Sequence, residues 1–322
     1  MTDKIINSVC KYCDIPLSWY TNKIICLLPC DHLVHKSCFI KTIKTNAPNI
    51  GKCPICDTQI NNFMEEEDLK RKRKYTQQYL DILSLTNFDN MTNYNKTIFQ
   101  KNILSILELF LSTPFMKGFD GGHQLCRHVL NLCNMDLEVF GMENINPLHK
   151  RRIYIANHTT HFDYFVMFYL FKCGFLSSSF ILKSAIGRHI TTLIPLVIFN
   201  RSKDKQTVKK IKQYVEKNGS IAIFPEGLIT HPDTIIRFRT GAFYADQIIT
   251  PVVMKFDPPI YDCSIGDFII KLASGSISVK VYVLPEEHPP FTPERIEEVR
   301  DKMARAGNLA KSRVINRDIK DD

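Results

Sequence analysis

The sequence predicts an α/β domain, with a mixed sheet flanked by helices, preceded by a small domain that metal ions stabilise. Two observations carry this prediction. Seven of the eleven cysteines lie in the first 56 residues, a segment too short and too poor in long apolar runs to build its own core. From residue 98 onwards, short β-branched or aromatic runs alternate with segments of helical periodicity. At 322 residues and 44% hydrophobic, the chain has room for both domains.

The composition therefore divides the chain into three parts. Residues 1–60 form the Cys/His-rich domain, residues 61–97 a charged and polar linker, and residues 98–322 the α/β domain. In the linker, an acidic run at 65–68 precedes a basic run at 70–74, which favours a solvated helix held by i,i+4 pairs. A nuclear signal or a lipid-facing patch are the alternatives for the basic run.

The first domain carries eight nitrogen and sulfur ligands in the pattern C-x2-C-x16-C-x-H-x2-H-x2-C-x14-C-x2-C. They are Cys10, Cys13, Cys30, His32, His35, Cys38, Cys53 and Cys56. Eight such ligands fit two tetrahedral Zn²⁺ ions, and strain in the tight middle quartet favours an interleaved arrangement. The first eight residues contain no long apolar run of a signal peptide, so metal ligation in a reduced compartment is favoured over disulfides.

Residues 8–60 resemble a RING-H2 domain, most clearly in Pro29–His32 and Cys53–Cys56. This resemblance implies one zinc on Cys10, Cys13, His35 and Cys38, and the other on Cys30, His32, Cys53 and Cys56. Cys26 fits no ligand position and is predicted to be a buried thiol in the strand-like segment 24–28.

RING domains recruit ubiquitin-conjugating enzymes through an apolar patch, and the matching positions here are Tyr12, Pro54 and Ile55. Two positions depart from the pattern. Thr42 and Ile43 stand where an aromatic residue is usual, and Asp57 stands where a basic residue is usual after the last cysteine. A zinc-stabilised interaction module is therefore the alternative to a ubiquitin ligase.

Seven strands and five helices are predicted beyond residue 98. The strands are Leu137–Phe140, Arg152–Ala156, Phe180–Lys183, Leu196–Asn200, Ile221–Phe224, Ile248–Met254 and Ser278–Leu284. The helices lie around 121–134, 162–172, 184–193, 204–218 and 292–308. The last helix opens with Thr292 as its cap and Pro293 at its first position.

The stretch Asn157-His-Thr-Thr-His-Phe-Asp163 admits three readings: a metal site, an N-glycosylation sequon, or a general base with its carboxylate. His158 lies at a predicted strand–helix junction and Asp163 in the first turn of the helix, where their side chains can meet. Thr159 or Thr160 is predicted to cap that helix. The carboxylate would fix the imidazole tautomer and stabilise its protonated form.

Further motifs follow the predicted strands. They are Arg201, the segment Phe224-Pro-Glu-Gly227, the segment Phe238-Arg-Thr-Gly-Ala-Phe243 and the segment Thr250-Pro-Val252. In this order, with the H-x4-D pair, they resemble the PlsC/lysophospholipid acyltransferase family, which includes 1-acylglycerol-phosphate acyltransferases. The resemblance covers about residues 100–310.

The resemblance implies transfer of a fatty acyl group from acyl-CoA to a glycerolipid hydroxyl, without a catalytic metal. His158 would act as general base, Asp163 would orient it, and His161 would fall at a variable position. Glu226 and Gly227 would shape the acceptor pocket, and Arg201 would contact an acceptor phosphate.

Arg239 completes the implied substrate-binding set. The Thr-Arg that often follows the FPEG glycine is replaced by Leu228-Ile229, and Arg237 or Arg239 could substitute for the missing arginine. The Gly-Ala-Phe ending at Phe243 favours a lysophospholipid acceptor over lysophosphatidic acid or glycerol-3-phosphate.

A net charge of +9 is compatible with nucleic acid, an anionic membrane or a CoA-bearing ligand, but no nucleic-acid-reading motif is present. No stretch reaches the ~20 apolar residues of a membrane span. Residues 98–119 instead predict an amphipathic helix, either in the core or at a membrane interface. We therefore expect peripheral or monotopic attachment to the cytoplasmic side of an intracellular membrane. The alternative function is a RING-type ubiquitin ligase whose second domain docks lipid.

Overall fold

The computed structural model describes residues 9–14, 17, 24–30, 32–44, 51–65, 111–183, 185–199, 206–257, 259–260 and 276–316. The predicted linker helix, with its basic run at 70–74, lies outside these residues. Residues 98–110 of the predicted amphipathic helix lie outside them as well. Among the residues that are described, no helix combines the length and the apolar character that a membrane span requires.

The small domain is a three-stranded antiparallel sheet with one helix. Its strands are β1 (Ile24–Leu28), β2 (His32–His35) and β3 (Asn62–Glu65), and its helix is α1 (Lys36–Lys44). β1 lies between β2 and β3, and four of its five residues are buried. Because β3 pairs with β1 along its whole length, the sheet extends to residue 65, past the predicted end of this domain at residue 60.

A seven-stranded mixed sheet dominates the second domain, in the order β4-β11-β10-β5-β8-β6-β7. Its strands are β4 (Asp136–Phe140), β5 (Arg152–Ala156), β6 (Gly174–Ser178), β7 (Leu196–Phe199), β8 (Ser220–Ile223), β10 (Ile249–Asp257) and β11 (Ser278–Val283). Only the β10–β11 pair is antiparallel among these pairings. A separate parallel pair joins β9 (Thr234–Arg237) to β12 (Ala310–Ile315).

Helices cover both faces of the large sheet, and their bounds are α2 (Gly118–Leu132), α3 (Phe162–Phe171), α4 (Ala185–Leu193), α5 (Thr207–Asn218) and α6 (Pro293–Gly307). One apolar core includes Tyr154 of β5 together with residues of α2 and α3. The other includes Ile155 of the same strand with residues of α5 and α6. Adjacent side chains of β5 therefore enter opposite cores, as burial on both faces of a parallel sheet requires.

The structure corrects one predicted strand. Phe180–Lys183 falls in a 3-10 helix, Ser179–Lys183, and the strand lies earlier at Gly174–Ser178. Gly174, Ser177 and Ser178 have low strand propensity, so the local sequence does not predict a strand at this position. Pairing with β7 on one side and β8 on the other overrides that local preference.

The other six strand predictions are confirmed to within three residues at either end. The five helices are also found, although α2 begins at Gly118, three residues before its predicted start. Gly121 and Gly122 have low helix propensity, so the local sequence does not indicate that the helix begins before them. A Cβ at Gly122 would lie 2.4 Å from the carbonyl oxygen of Leu193, so glycine permits the close approach of α2 to the end of α4.

Candidate active site and metal centres

His158 and Asp163 meet at the junction of β5 and α3. The strand ends at Ala156, the helix begins at Phe162, and His158 Nδ1 lies 2.8 Å from Asp163 Oδ2. The predicted proximity of the two side chains is thus confirmed. Both residues are buried, Asp163 completely.

The Asp163 carboxylate also binds the chain between the two residues. Oδ2 accepts hydrogen bonds from the backbone N–H groups of Thr159 at 2.8 Å and Thr160 at 3.1 Å. Burial raises the pKa of Asp163, while the hydrogen bond and charge of His158 and these backbone donors act in the opposite direction. An oxygen that receives three donors accepts only, so Nδ1 of His158 carries hydrogen and Nε2 is left to accept a proton.

The predicted threonine cap of α3 is confirmed at Thr160. Its Oγ1 accepts from the N–H of Phe162 at 3.2 Å. His161, which lies between them, has helical backbone angles and makes no capping hydrogen bond with its own side chain. The Asp163 carboxylate binds the N–H groups of Thr159 and Thr160 and so fixes the chain just before the helix.

Aromatic rings fix the plane of the His158 imidazole. The ring stacks on Phe224 with 4.1 Å between centroids and a 14° interplanar angle. Tyr164 meets it edge-on, with centroids 5.5 Å apart. Phe224 directly follows β8, the neighbour of β5, so the parallel strands deliver both rings to one edge of the sheet.

Glu226 holds the backbone of His158. Its Oε1 accepts from the N–H of His158 at 3.1 Å, and its Oε2 accepts from Thr230 Oγ1 and from the N–H of Ile236, each at 3.0 Å. The residue has no exposed surface. Burial raises the pKa of Glu226 to about 7, although these three donors act in the opposite direction. The carboxylate to which the family resemblance assigns the acceptor pocket is therefore hydrogen-bonded to groups of the protein itself.

Asn157 anchors the same loop to β10. Its side-chain amide donates to the carbonyl of Met254 at 3.0 Å and accepts from the N–H of Met254 at 2.8 Å. The amide thereby continues the β5–β10 ladder beyond the end of β5. The only sequence signal for this role is the position of Asn157 directly before His158.

Gly227 and Arg239 lie together beside Glu226. Gly227 has a φ of +76°, and a Cβ there would come within 2.9 Å of Arg239 Cδ. The backbone N–H of Arg239 donates to the carbonyl of Pro225 at 2.8 Å, while its side chain is exposed. Asn316, next to β12, donates to the carbonyl of Gly227 at 3.1 Å. Arg201 lies outside the described residues.

Thr230 also contacts His158, although no motif in the sequence points to it. Its backbone N–H donates to the carbonyl of His158 at 2.7 Å, and the residue is completely buried. Nothing in the local sequence signals this contact, because its partner lies 72 residues earlier in the chain.

The eight predicted Cys/His ligands of the small domain form the two interleaved sets that the RING-H2 resemblance implies. Within each set, the ligand atoms lie within 4.8 Å of one another: Cys10, Cys13, His35 and Cys38 in one, and Cys30, His32, Cys53 and Cys56 in the other. Among the described residues these are the only groupings of three or more possible metal ligands, so none includes the Asn157–Asp163 loop.

Their chemistry fits Zn²⁺, which prefers four thiolate and imidazole ligands in a tetrahedron. The backbone N–H of His35 donates to Cys10 Sγ and that of Ile55 to Cys53 Sγ, each at 3.4 Å. Such donors suit sulfur that carries negative charge. Cys26 is buried in β1 and belongs to neither set, as predicted.

Comparison with known proteins gives matches to acyltransferases. The family model described as "Acyltransferase" matches residues 136–255. Glycerol-3-phosphate acyltransferase 4 of Mus musculus is 27% identical over 215 residues, covering 58% of this chain and 46% of that protein. The 1-acyl-sn-glycerol-3-phosphate acyltransferase of Limnanthes alba is 29% identical over 159 residues, covering 46% of this chain and 55% of that protein.

The chain thus spans about half the length of the curated relatives that it matches. Among solved structures, the 1-acyl-sn-glycerophosphate acyltransferase PlsC of Thermotoga maritima aligns with a TM-score of 0.45 and 16% identity. The alignment covers 68% of this chain and 88% of that one.

Proposed function

We propose that the chain transfers an acyl group to a glycerolipid hydroxyl, with His158 as general base. The match of residues 136–255 to the family model described as "Acyltransferase" supports this proposal. The observation that carries this proposal is the 2.8 Å contact between His158 Nδ1 and the buried Asp163 carboxylate. That contact leaves Nε2 as the nitrogen that can receive a proton, and the family match spans both residues.

The reaction that we propose takes acyl-CoA as donor. Nε2 of His158 removes the proton of the acceptor hydroxyl as its oxygen attacks the thioester carbonyl. The tetrahedral intermediate then collapses, the carbon–sulfur bond breaks, and the imidazolium returns its proton to the CoA sulfur. The products are the glycerolipid ester and free CoA thiol. No metal is needed for these steps.

Asp163 acts in this scheme through His158. Its carboxylate fixes the tautomer and stabilises the positive charge that the imidazole gains during attack. Stacking of the ring on Phe224 keeps the imidazole plane fixed while its charge changes. Both effects depend on a site closed to water, and the His158 side chain is only 9% exposed.

We propose an acceptor with a phosphate monoester, such as glycerol-3-phosphate or its 1-acyl derivative. The relatives above are named for these two acceptors. Arg239, an exposed residue whose side chain lies against Gly227, is the arginine that we propose to bind such a phosphate. These names favour glycerol-3-phosphate and lysophosphatidic acid, whereas the Gly-Ala-Phe ending at Phe243 favours a different lysophospholipid. Contact of Arg201 with the phosphate stays a prediction.

An assay of CoA release with lipid mass spectrometry tests the proposal. Purified protein is supplied with palmitoyl-CoA and, separately, with glycerol-3-phosphate, lysophosphatidic acid and lysophosphatidylcholine. We expect acylation of a phosphate-monoester acceptor, loss of turnover in His158→Ala, and substantial turnover in His161→Ala, the control in the same loop. Arg239→Gln should raise KM for the acceptor without a matching change for palmitoyl-CoA.

Two results would contradict the proposal. Turnover no higher than that of His158→Ala across all acceptors would exclude acyl transfer to these lipids. Preference for lysophosphatidylcholine, with no effect of Arg239→Gln, would retain the chemistry but exclude the phosphate-monoester acceptor.

The small domain is proposed to hold two structural zinc ions, one in each ligand set. Its apolar core is limited, so metal ligation would supply much of its folding free energy. Recruitment of a ubiquitin-conjugating enzyme stays a prediction; Ile55 of the predicted patch is 40% exposed.

Attachment to a membrane surface is also proposed, through the segment before α2 and the start of that helix. Leu111, Phe115 and Phe119 are 71%, 84% and 40% exposed. Three large apolar side chains exposed within nine residues are suited to the interfacial region of a bilayer, where the acyl chains of the substrates reside. The side of the membrane on which the chain lies stays a prediction.

A further inference from the structure

The base His158 lies outside regular secondary structure. β5 ends two residues before it and α3 begins four residues after it, so neither element fixes its main chain by its own hydrogen bonds. Its N–H and C=O groups are nevertheless both bonded, and both bonds lead to one loop between β8 and β9. Glu226 accepts from the N–H, and Thr230 donates its own N–H to the C=O at 2.7 Å.

The hydroxyl of Thr230 closes this arrangement. It lies 3.0 Å from Glu226 Oε2 and 3.3 Å from the carbonyl oxygen of His158. A hydroxyl has one hydrogen, and the carboxylate is both nearer and the stronger acceptor. The hydroxyl therefore donates to Glu226. A closed ring of hydrogen bonds results, running from His158 N–H through Glu226 and Thr230 back to His158 C=O.

We propose that Thr230 is a positioning residue for His158, a role that rests on the proposed acyl transfer. Its hydroxyl fixes the Glu226 carboxylate, and the carboxylate together with the Thr230 main chain fixes the peptide groups of the base. Complete burial of both side chains excludes competing water. A base held in this way keeps Nε2 aimed at the acceptor hydroxyl, where small displacements reduce the rate severely.

Replacing Thr230 with Val removes the hydroxyl and retains the shape of the side chain. Thr234→Val is the matched control, because Thr234 is also completely buried and its hydroxyl donates to the carbonyl of His231 at 3.2 Å. We expect Thr230→Val to lower kcat about tenfold with both KM values within about twofold, since the substrates still bind. Thr230→Ser, which keeps the donor, should retain most of kcat, and Thr234→Val should retain it too.

The control separates positioning from general destabilisation. An unchanged kcat in Thr230→Val would overturn the proposal, and so would equal losses in the two valine variants with equally lowered Tm. If Thr230→Val does not fold, Thr230→Cys takes its place. Its weaker donor should give a kcat below that of Thr230→Ser, and a kcat equal to wild type would overturn the proposal.

A second measurement does not need turnover. In protein carrying ¹⁵N-histidine, the ring signals of His158 are identified by their loss in His158→Ala. Thr230→Val should shift them, and Thr234→Val should not. Unchanged His158 signals in Thr230→Val would overturn the positioning role. If Thr230→Val shifts the His158 signals but wild-type protein transfers no acyl group, the positioning role of Thr230 stands and the proposed function is wrong.

Discussion

Replacing Asp163 with Asn tests the charge of the buried carboxylate separately from its shape. Asparagine has nearly the same volume, and its side-chain oxygen can take the place of Oδ2. It can still accept from His158 Nδ1 and from the N–H groups of Thr159 and Thr160. The substitution therefore removes one negative charge and leaves the hydrogen-bonded loop largely in place.

The magnitude follows from the distance. With Nδ1 and Oδ2 2.8 Å apart, the centres of the imidazolium and carboxylate charges lie about 4 Å apart. At an effective dielectric constant of about 20, two unit charges at that separation attract by about 4 kcal/mol. If this stabilisation is present in the transition state and absent with neutral imidazole, Asp163→Asn lowers kcat about a thousandfold.

The assay combines steady-state acyl transfer with thermal unfolding. We expect kcat to fall about a thousandfold and Tm to stay level or rise. Burial raises the pKa of the Asp163 carboxyl, which means that the ionised group destabilises the fold, and a neutral amide relieves that cost.

Two results would refute this reasoning. A loss of kcat below about tenfold would mean that the carboxylate charge does not act on the transition state. A large fall in Tm accompanying lost activity would mean that Asp163 serves the fold, and that His158 is disordered without it.

Three further predictions concern metal, pH and membrane. Metal analysis should find two zinc ions per chain, and Cys53→Ser should retain one, since the first ligand set does not use that cysteine; an unchanged count of two would contradict the assignment. The folded-state pKa of Glu226, about 7, exceeds its ordinary 4.5, so its stabilising contribution is full below pH 4.5 and lost as pH rises through 7. Urea unfolding measures the free energy of unfolding of wild type and of Glu226→Gln. The value for wild type minus that for the variant should fall by roughly 2 to 3 kcal/mol between pH 5 and pH 8. The same value at both pH would exclude a raised pKa of Glu226. Replacing Leu111 and Phe115 together with Ser should weaken sedimentation with liposomes about tenfold or more; unchanged binding would place the membrane contact elsewhere.

The sequence predicts most of this fold where local signals and tertiary packing agree. The last helix is an example: Thr292 accepts from the N–H of Arg295 and Pro293 opens the helix, as the capping pattern predicts. The metal sets are another, because the ligand spacing carries the resemblance to RING-H2 domains, and that resemblance implies the two interleaved sets that the structure brings together.

Prediction fails where partners from distant parts of the chain decide the structure. Gly174 begins a strand only because β7 and β8 flank it. The motif around Glu226 suggests a substrate contact. In the structure, the Glu226 carboxylate instead accepts hydrogen bonds from His158, Thr230 and Ile236. Charge and spacing in a sequence do not reveal which polar groups a fold has already satisfied.

The hydrogen bonds that hold the loop Asn157–Asp163 determine which positions around it tolerate substitution. Asn157 bonds the main chain of Met254, and Glu226 bonds the main chain of Ile236. Because every residue except proline offers the same N–H, substitutions at 236 and 254 alter packing but leave these two hydrogen bonds available. The donor and acceptor identities at 157 and 226 have no such freedom: aspartate at 157 would set a carboxylate oxygen against the Met254 carbonyl. We therefore expect substitutions at 236 and 254, which contribute main-chain groups, to be tolerated better than substitutions at 157 and 226, which contribute side chains.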